Sequence, residues 1–221
     1  MRIRFVTVTL FLISLFPQIC RAQADFTGTW QGTIDIKAAG SSADKGEFLL
    51  NLRQAGSRIS GTVGPARTPL SNGSVLDNVA TFDVQMGSVR LTFRMQLAEQ
   101  KHLTGVGLPR AEGTNVEAAI ELWKIAPTDV TGRWTGTVTM SGDSPINAWI
   151  TFRQYGASVT GATSNGPIEN GVVYGDRLLF DTVAKGITLN FDLRVTGDQM
   201  SGSITTAGAP YKAVISLRKS G

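Results

Sequence analysis

One histidine, one cysteine and 17 carboxylate side chains leave this 221-residue chain few groups for histidine-, thiol- or metal-based chemistry. His102, in Gln100-Lys101-His102-Leu103, has no second histidine with which to build a metal site. As a general base it would need a nucleophile, and no Gly-x-Ser-x-Gly elbow supplies one. A surface turn is its expected place. Glu47, Glu117, Glu121 and Asp192 fall in phase with polar strand faces. Glycoside hydrolysis takes two carboxyl groups roughly 5 to 9.5 Å apart, a spacing that strand periodicity alone does not create. Solvation is their expected role. Cys20 lies in an apolar N-terminal segment expected to be removed, which leaves no thiol nucleophile, disulfide or Cys-ligated zinc site. These residues predict a protein that is not an enzyme and has no cofactor and no metal ion.

The segment that carries Cys20 reads as a secretory signal over residues 1–24. Arg2 and Arg4 form its basic start, Phe5 to Phe16 its apolar stretch, and Ala22-Gln23-Ala24 a small-x-small cleavage site, with Asp25 as the first mature residue. An apolar run of about a dozen residues is well short of the roughly 20 that span a bilayer. Pro17-Gln18-Ile19 before Cys20 is not a lipoprotein-processing pattern. Removing Arg2, Arg4 and Arg21 leaves 18 basic against 17 acidic residues, a net charge of +1. A near-neutral mature chain without a basic tract has little counterion-release drive toward nucleic acid and no polybasic patch for an anionic membrane. The expected location is secreted or periplasmic, with no membrane insertion of the mature chain.

The rest of the chain repeats itself. Asp25-Phe26-Thr27-Gly28-Thr29-Trp30-Gln31-Gly32-Thr33 returns as Asp129-Val130-Thr131-Gly132-Arg133-Trp134-Thr135-Gly136-Thr137, with six identities in nine positions. Leu52-Arg53-Gln54-Ala55-Gly56 returns as Phe152-Arg153-Gln154-Tyr155-Gly156, Asn72-Gly73 as Asn170-Gly171, and Phe82-Asp83 as Phe180-Asp181. Two copies of about a hundred residues are too long and too few for a solenoid, so each is expected to be a domain, at 25–125 and 129–221. Ala126-Pro127-Thr128 is the whole linker, and it implies that the domains touch.

Within a copy the hydrophobic period is two. Ile187, Leu189, Phe191, Leu193 and Val195 alternate with Thr188, Asn190, Asp192 and Arg194, and a turn signal falls about every ten residues. The expectation is eight strands per copy, each of six to nine residues, with no helix. Closing such a meander removes its two exposed edges, which predicts an all-β chain of two tandem eight-stranded up-and-down β-barrels. A β-sandwich is the alternative. A lipid-facing barrel is not expected, because one strand face reads Thr, Arg, Asn, Asp and Gln. Phe48, Phe82, Phe93, Met95, Ile150, Phe152, Phe180, Phe191 and Met200 are the expected interior filling. Asn72-Gly73 and Asn170-Gly171 are expected to set turns, with the glycine supplying positive φ.

Gly28-x-Trp30 and Gly132-x-Trp134, each on the first strand of an eight-stranded meander, resemble the opening of the calycins, the superfamily of lipocalins, avidins and fatty-acid-binding proteins. The resemblance implies that each Trp closes one barrel end beneath a cation from the last strand, a position matched by Lys124 and Lys219. It also implies carriage of a small apolar molecule.

Trp149 and Trp123 are out of phase with the inward residues beside them. They are expected to point outward, where they pack between the two domains or bind a ligand or partner. Three functions remain open. The first is a non-enzymatic binder of a small hydrophobic molecule or a protein partner. The second is a secreted inhibitor or surface module with filled barrels, for which the long hairpin from Lys37 to Lys45 would serve. The third, a cyclase- or isomerase-like barrel, needs inward polar groups that are scarce here.

Overall fold

Alternating apolar and polar residues separated by Gly- and Asn-containing turns leave the backbone one extended solution, and the described residues take it outside their turns. The computed structural model describes residues 24–38, 44–99, 101–110, 116–140, 142–206 and 209–220. Residues 1–23, where the signal is expected, and the tip of the Lys37 to Lys45 hairpin lie outside the described residues. The first copy forms β1 (Gly28–Ala38), β2 (Asp44–Ala55), β3 (Arg58–Val63), β4 (Thr68–Leu76), β5 (Val79–Met86), β6 (Val89–Glu99), β7 (His102–Pro109) and β8 (Val116–Ile125). Each strand pairs antiparallel with the next, and β1 pairs with both β2 and β8, which closes the barrel.

The second copy forms β9 (Gly132–Met140), β10 (Ile146–Tyr155), β11 (Ser158–Thr163), β12 (Gly166–Pro167), β13 (Glu169–Tyr174), β14 (Arg177–Ala184), β15 (Ile187–Thr196), β16 (Gln199–Thr206) and β17 (Ala209–Ser220). It closes through β9, which pairs with β10 and β17, and through the pairing of β10 with β11. Both β12 and β13 pair with β11, so they are one strand interrupted at Ile168, and this barrel too has eight. Apart from β12 the strands run from 6 to 12 residues, longer at the upper end than the sequence predicts. The hairpins continue pairing through polar residues that hydrophobic alternation does not count.

The nine side chains expected to fill the interiors are all buried. Phe93 sits between Phe48 and Phe82 at ring distances of 5.6 and 5.5 Å. In the second barrel Phe180 stacks on Phe191 at 4.3 Å and meets Phe152 edge-on at 5.7 Å. The expected Asn-Gly turns are instead bulges inside strands, where the register shifts between Ser71 and Ser74 and between Glu169 and Val172. Positive φ belongs to the asparagines, 52° at Asn72 and 51° at Asn170, a region that Asn tolerates better than most residues. The glycines serve close approach. A Cβ on Gly73 would lie 2.0 Å from the Ile59 carbonyl oxygen, and one on Gly171 2.3 Å from that of Val159. Gly73→Ala and Gly171→Ala are therefore each expected to destabilise by roughly 1 to 3 kcal/mol, the scale of overpacking. Chemical denaturation measures this, and a change within about 0.5 kcal/mol would mean that the sheet spreads to admit the methyl group.

The two barrels meet along outer faces. Leu49 of β2 packs with Val172, Tyr174 and Leu179, flanked by Ile125 and Ala157. Thr128 N donates to the Gly175 carbonyl at 2.8 Å, which ties the linker to the second barrel. Arg177 donates to Asp192 of its own barrel at 2.7 and 2.9 Å and to Glu47 of the other at 2.6 Å. Glu47 and Asp192 are thus members of an interface network rather than merely solvated carboxylates. Arg67 reaches across to Asp181, and Arg53 to the Ser158 hydroxyl. Trp149 and Trp123 do not join this seam. They are 37% and 48% exposed, and the interface instead takes Leu49, the residue that stands in the first copy where the second has Trp149.

Candidate functional site

At one end of each barrel the segment before the first strand folds under the sheet. Trp30 Nε1 donates to the Phe26 carbonyl at 2.9 Å, and Trp134 Nε1 to that of Val130 at 2.8 Å. The repeated glutamine of the second strand completes the closure. Gln54 Oε1 accepts from Phe26 N at 2.9 Å, and Gln154 Oε1 from Val130 N at 2.8 Å. The amide Nε2 of each donates to the carbonyl of the following turn glycine, Gly56 or Gly156. Lys124 Nζ lies 5.3 Å from the Trp30 ring centroid and Lys219 Nζ 5.7 Å from that of Trp134, within cation–π range. The duplicated Arg-Gln-x-Gly was the sequence signal for the glutamines, but matching residues alone do not reveal which backbone groups they satisfy.

A second duplicated arrangement sits on the outer faces. Asn72 Nδ2 donates to Asp83 at 2.7 Å, and Thr92 Oγ1 donates to the same carboxylate at 2.7 Å. In the second barrel Asn170 and Asn190 donate to Asp181 at 3.1 and 2.7 Å. Asp181 takes its cation, Arg67, from the first barrel, whereas Asp83 faces Arg110 of its own barrel at 3.6 Å. The hydrogen bond from Asn72 holds the Asp83 carboxyl below the usual carboxylate range against the cost of its burial, and Thr92, Arg110 and Arg90 add to the effect. A carboxyl whose pKa is lowered by folding contributes stability that is present above its unfolded value and lost as pH falls through the folded one. Asn72→Ala is expected to lower stability at neutral pH and to flatten part of the acid limb. Denaturation midpoints between neutral pH and about pH 3 check this, and an unchanged acid slope would remove Asp83 as its source.

Outward-facing aromatic residues form two separate patches. Trp123 of β8 stacks on His102 with ring centroids 5.2 Å apart, and His102 Nε2 lies 3.2 Å from Glu121 Oε1. His102 is therefore the half-buried first residue of β7 rather than part of a turn. Trp149 of β10 lies beneath the Arg133 guanidinium, 5.3 Å from ring centroid to cation. Among the described residues no group of three or more His, Cys, Asp or Glu side chains is placed to hold a metal ion.

The described residues line cavities outside the barrel interiors. One, of about 410 Å³, runs along the seam past Arg53, Arg67, Asn170 and Asp181. Another, of about 650 Å³, is an open groove on the first barrel lined by Leu76, Val79, Thr81, Arg94, Val106 and Leu108. Aligning Asn72 with Asn170 makes Ser74, Leu76 and Thr81 the counterparts of Val172, Tyr174 and Leu179. The groove thus occupies the place where the second barrel receives the first.

No protein-family model matches the sequence, and no curated protein resembles it significantly. Among solved structures, a Nostoc punctiforme PCC 73102 protein of unknown function from the DUF3598 family is similar at 12% identity. The match covers 88% of this chain and 96% of that one, with a TM-score of 0.33. A candidate outer-membrane protein of Bacteroides fragilis NCTC 9343 is similar at 10% identity over 88% and 97% of the two chains, with a TM-score of 0.32.

Proposed function

We propose that this chain is a non-enzymatic, secreted or periplasmic binding protein that works through the outer faces of two calycin-like barrels. The observation that carries the reading is the division of its aromatic residues. Inward aromatic rings are packed against one another in both barrels, and the described cavities open on the outside. Trp123, Trp149 and Tyr155 stand outward and exposed. A carrier of apolar molecules needs interior room, whereas a surface binder needs a rigid scaffold and accessible side chains, and filled barrels of eight strands supply that scaffold. Titration with an apolar anilinonaphthalene fluorophore tests this. No saturable site is expected within the barrels. Saturation at one fluorophore per barrel, with displacement by a long-chain fatty acid, would replace the surface reading with the carrier reading.

A further inference from the structure

Five adjacent strands of the second barrel, in the order β16, β17, β9, β10 and β11, contain no aspartate or glutamate. They carry Arg133, Arg153, Lys212, Arg218 and Lys219. The corresponding strands of the first barrel carry Asp35, Asp44, Glu47, Glu117 and Glu121, so the asymmetry is not a property of the repeat. Along the outer surface Arg218, Thr135 and Trp149 face one another across three neighbouring strands. The next row holds Ser220, Arg133 and Thr151, and Arg153 follows two residues further along β10. All three arginines are exposed, and among the described residues none has a carboxylate partner. The counterpart of Arg153 on the first barrel, Arg53, is engaged in the seam, and Thr29 and Trp123 stand where the second barrel has Arg133 and Arg218.

From this face we infer that the second barrel binds a carboxylated polysaccharide, an inference that rests on the outer-face reading above. Guanidinium groups take carboxylates through paired N–H donors. The half-exposed indole of Trp149 and the Arg133 guanidinium that lies over it form one planar platform against which a sugar ring packs. Thr135, Thr151 and Asn147 beside it supply hydroxyl and amide groups suited to sugar hydroxyls. A protein partner fits less well, because protein interfaces centre on apolar residues and exclude charge from that centre. This molecule's own seam packs Leu49, Val172, Tyr174 and Leu179 and pairs its buried Arg67 with Asp181, whereas Trp149 is surrounded by threonine, asparagine and unpaired arginine. Single-stranded nucleic acid stacks successive bases on successive rings. Here the next outward ring on β10 is Tyr155, six residues from Trp149 and thus about 20 Å away at strand rise.

The test is titration of the purified full-length mature protein with polygalacturonate, followed by tryptophan fluorescence and by co-sedimentation. Dextran, duplex DNA and phosphatidylglycerol vesicles serve as the comparison ligands. Polygalacturonate is expected to change the Trp149 signal and to bind less tightly as salt rises, while dextran does not bind. Arg133→Ser and Arg218→Ser should each raise the half-saturating concentration about tenfold or more, the scale of one charge-assisted contact. Arg218→Glu should raise it further, and Arg194→Ser, at an exposed arginine of β15 already paired with Asp176, should leave it unchanged. Unchanged circular dichroism of these surface variants confirms their folding. Absence of polygalacturonate binding, equal or tighter binding to DNA or vesicles, or indifference to the arginine substitutions would overturn the inference. None of these outcomes alters the fluorophore result, so the outer-face reading stands or falls separately.

Discussion

Trp30→Ala and Trp134→Ala are each expected to cost their own barrel roughly 3 to 5 kcal/mol, the scale for emptying a large aromatic site in a core. Both indoles are fully buried. Each also holds a backbone carbonyl, of Phe26 or Val130, that would lose its partner when the ring is removed. A buried acceptor without a donor adds its own desolvation penalty to that of the cavity. Trp→Phe at either site removes the N–H with a smaller cavity than Trp→Ala, so comparing the two variants brackets the hydrogen-bond contribution. Removing Lys124 or Lys219 leaves these terms intact and forfeits a cation–π contact of roughly 0.5 to 2 kcal/mol. Urea denaturation measures all of these changes. A tryptophan substitution costing less than about 1 kcal/mol would mean that the barrel end does not depend on its plug.

Arg67→Ala should uncouple the barrels. The Arg67 and Asp181 side chains are 7% and 10% exposed, so the pair sits almost wholly out of water. Deleting the cation leaves the carboxylate with the amides of Asn170 and Asn190 but without a countercharge. Breaking one half of a buried pair typically costs about 3 to 5 kcal/mol, whereas replacing both halves with neutral groups of similar shape is often close to neutral. Arg67→Met is therefore expected to separate one calorimetric unfolding transition into two, and Arg67→Met combined with Asp181→Asn to restore much of the loss. A double-mutant cycle gives the coupling directly. If Arg67→Met left a single transition at an unchanged temperature, the seam would be held by the Leu49 cluster and the Arg177 pairs alone.

Much of the architecture was legible because barrel closure is enforced by local signals. The period-two alternation from Ile187 to Val195 assigns one face of a strand to the core, and a turn at every tenth residue allows only neighbour pairing. Where expectation and structure differ, the cause lies in contacts between strands that are distant in the chain. Asn72-Gly73 has the composition of a hairpin turn, but its glycine is needed where Ile59 approaches and its asparagine where Asp83 needs a donor. Both demands arise from neighbouring strands that sequence spacing does not place. Strand phase turns Trp149 outward, but direction alone does not say whether a face meets solvent or the other barrel.

The sequence by itself determined two copies, their strand count, the inward residues and the tryptophan that opens each copy, because these follow from periodicity and repetition along one chain. Only the tertiary structure decided how the copies meet. The first barrel offers its β1 to β3 side and the second its β11, β13 and β14 side, so equivalent residues in the two copies end in different surroundings. Leu49 is buried while Trp149 is exposed, and Asp181 is paired across the seam while Asp83 is paired within its own barrel. The physical reason is that the seam joins unlike faces of two similar barrels. Such a contact buries one of each kind of face and leaves the other of each kind open to solvent.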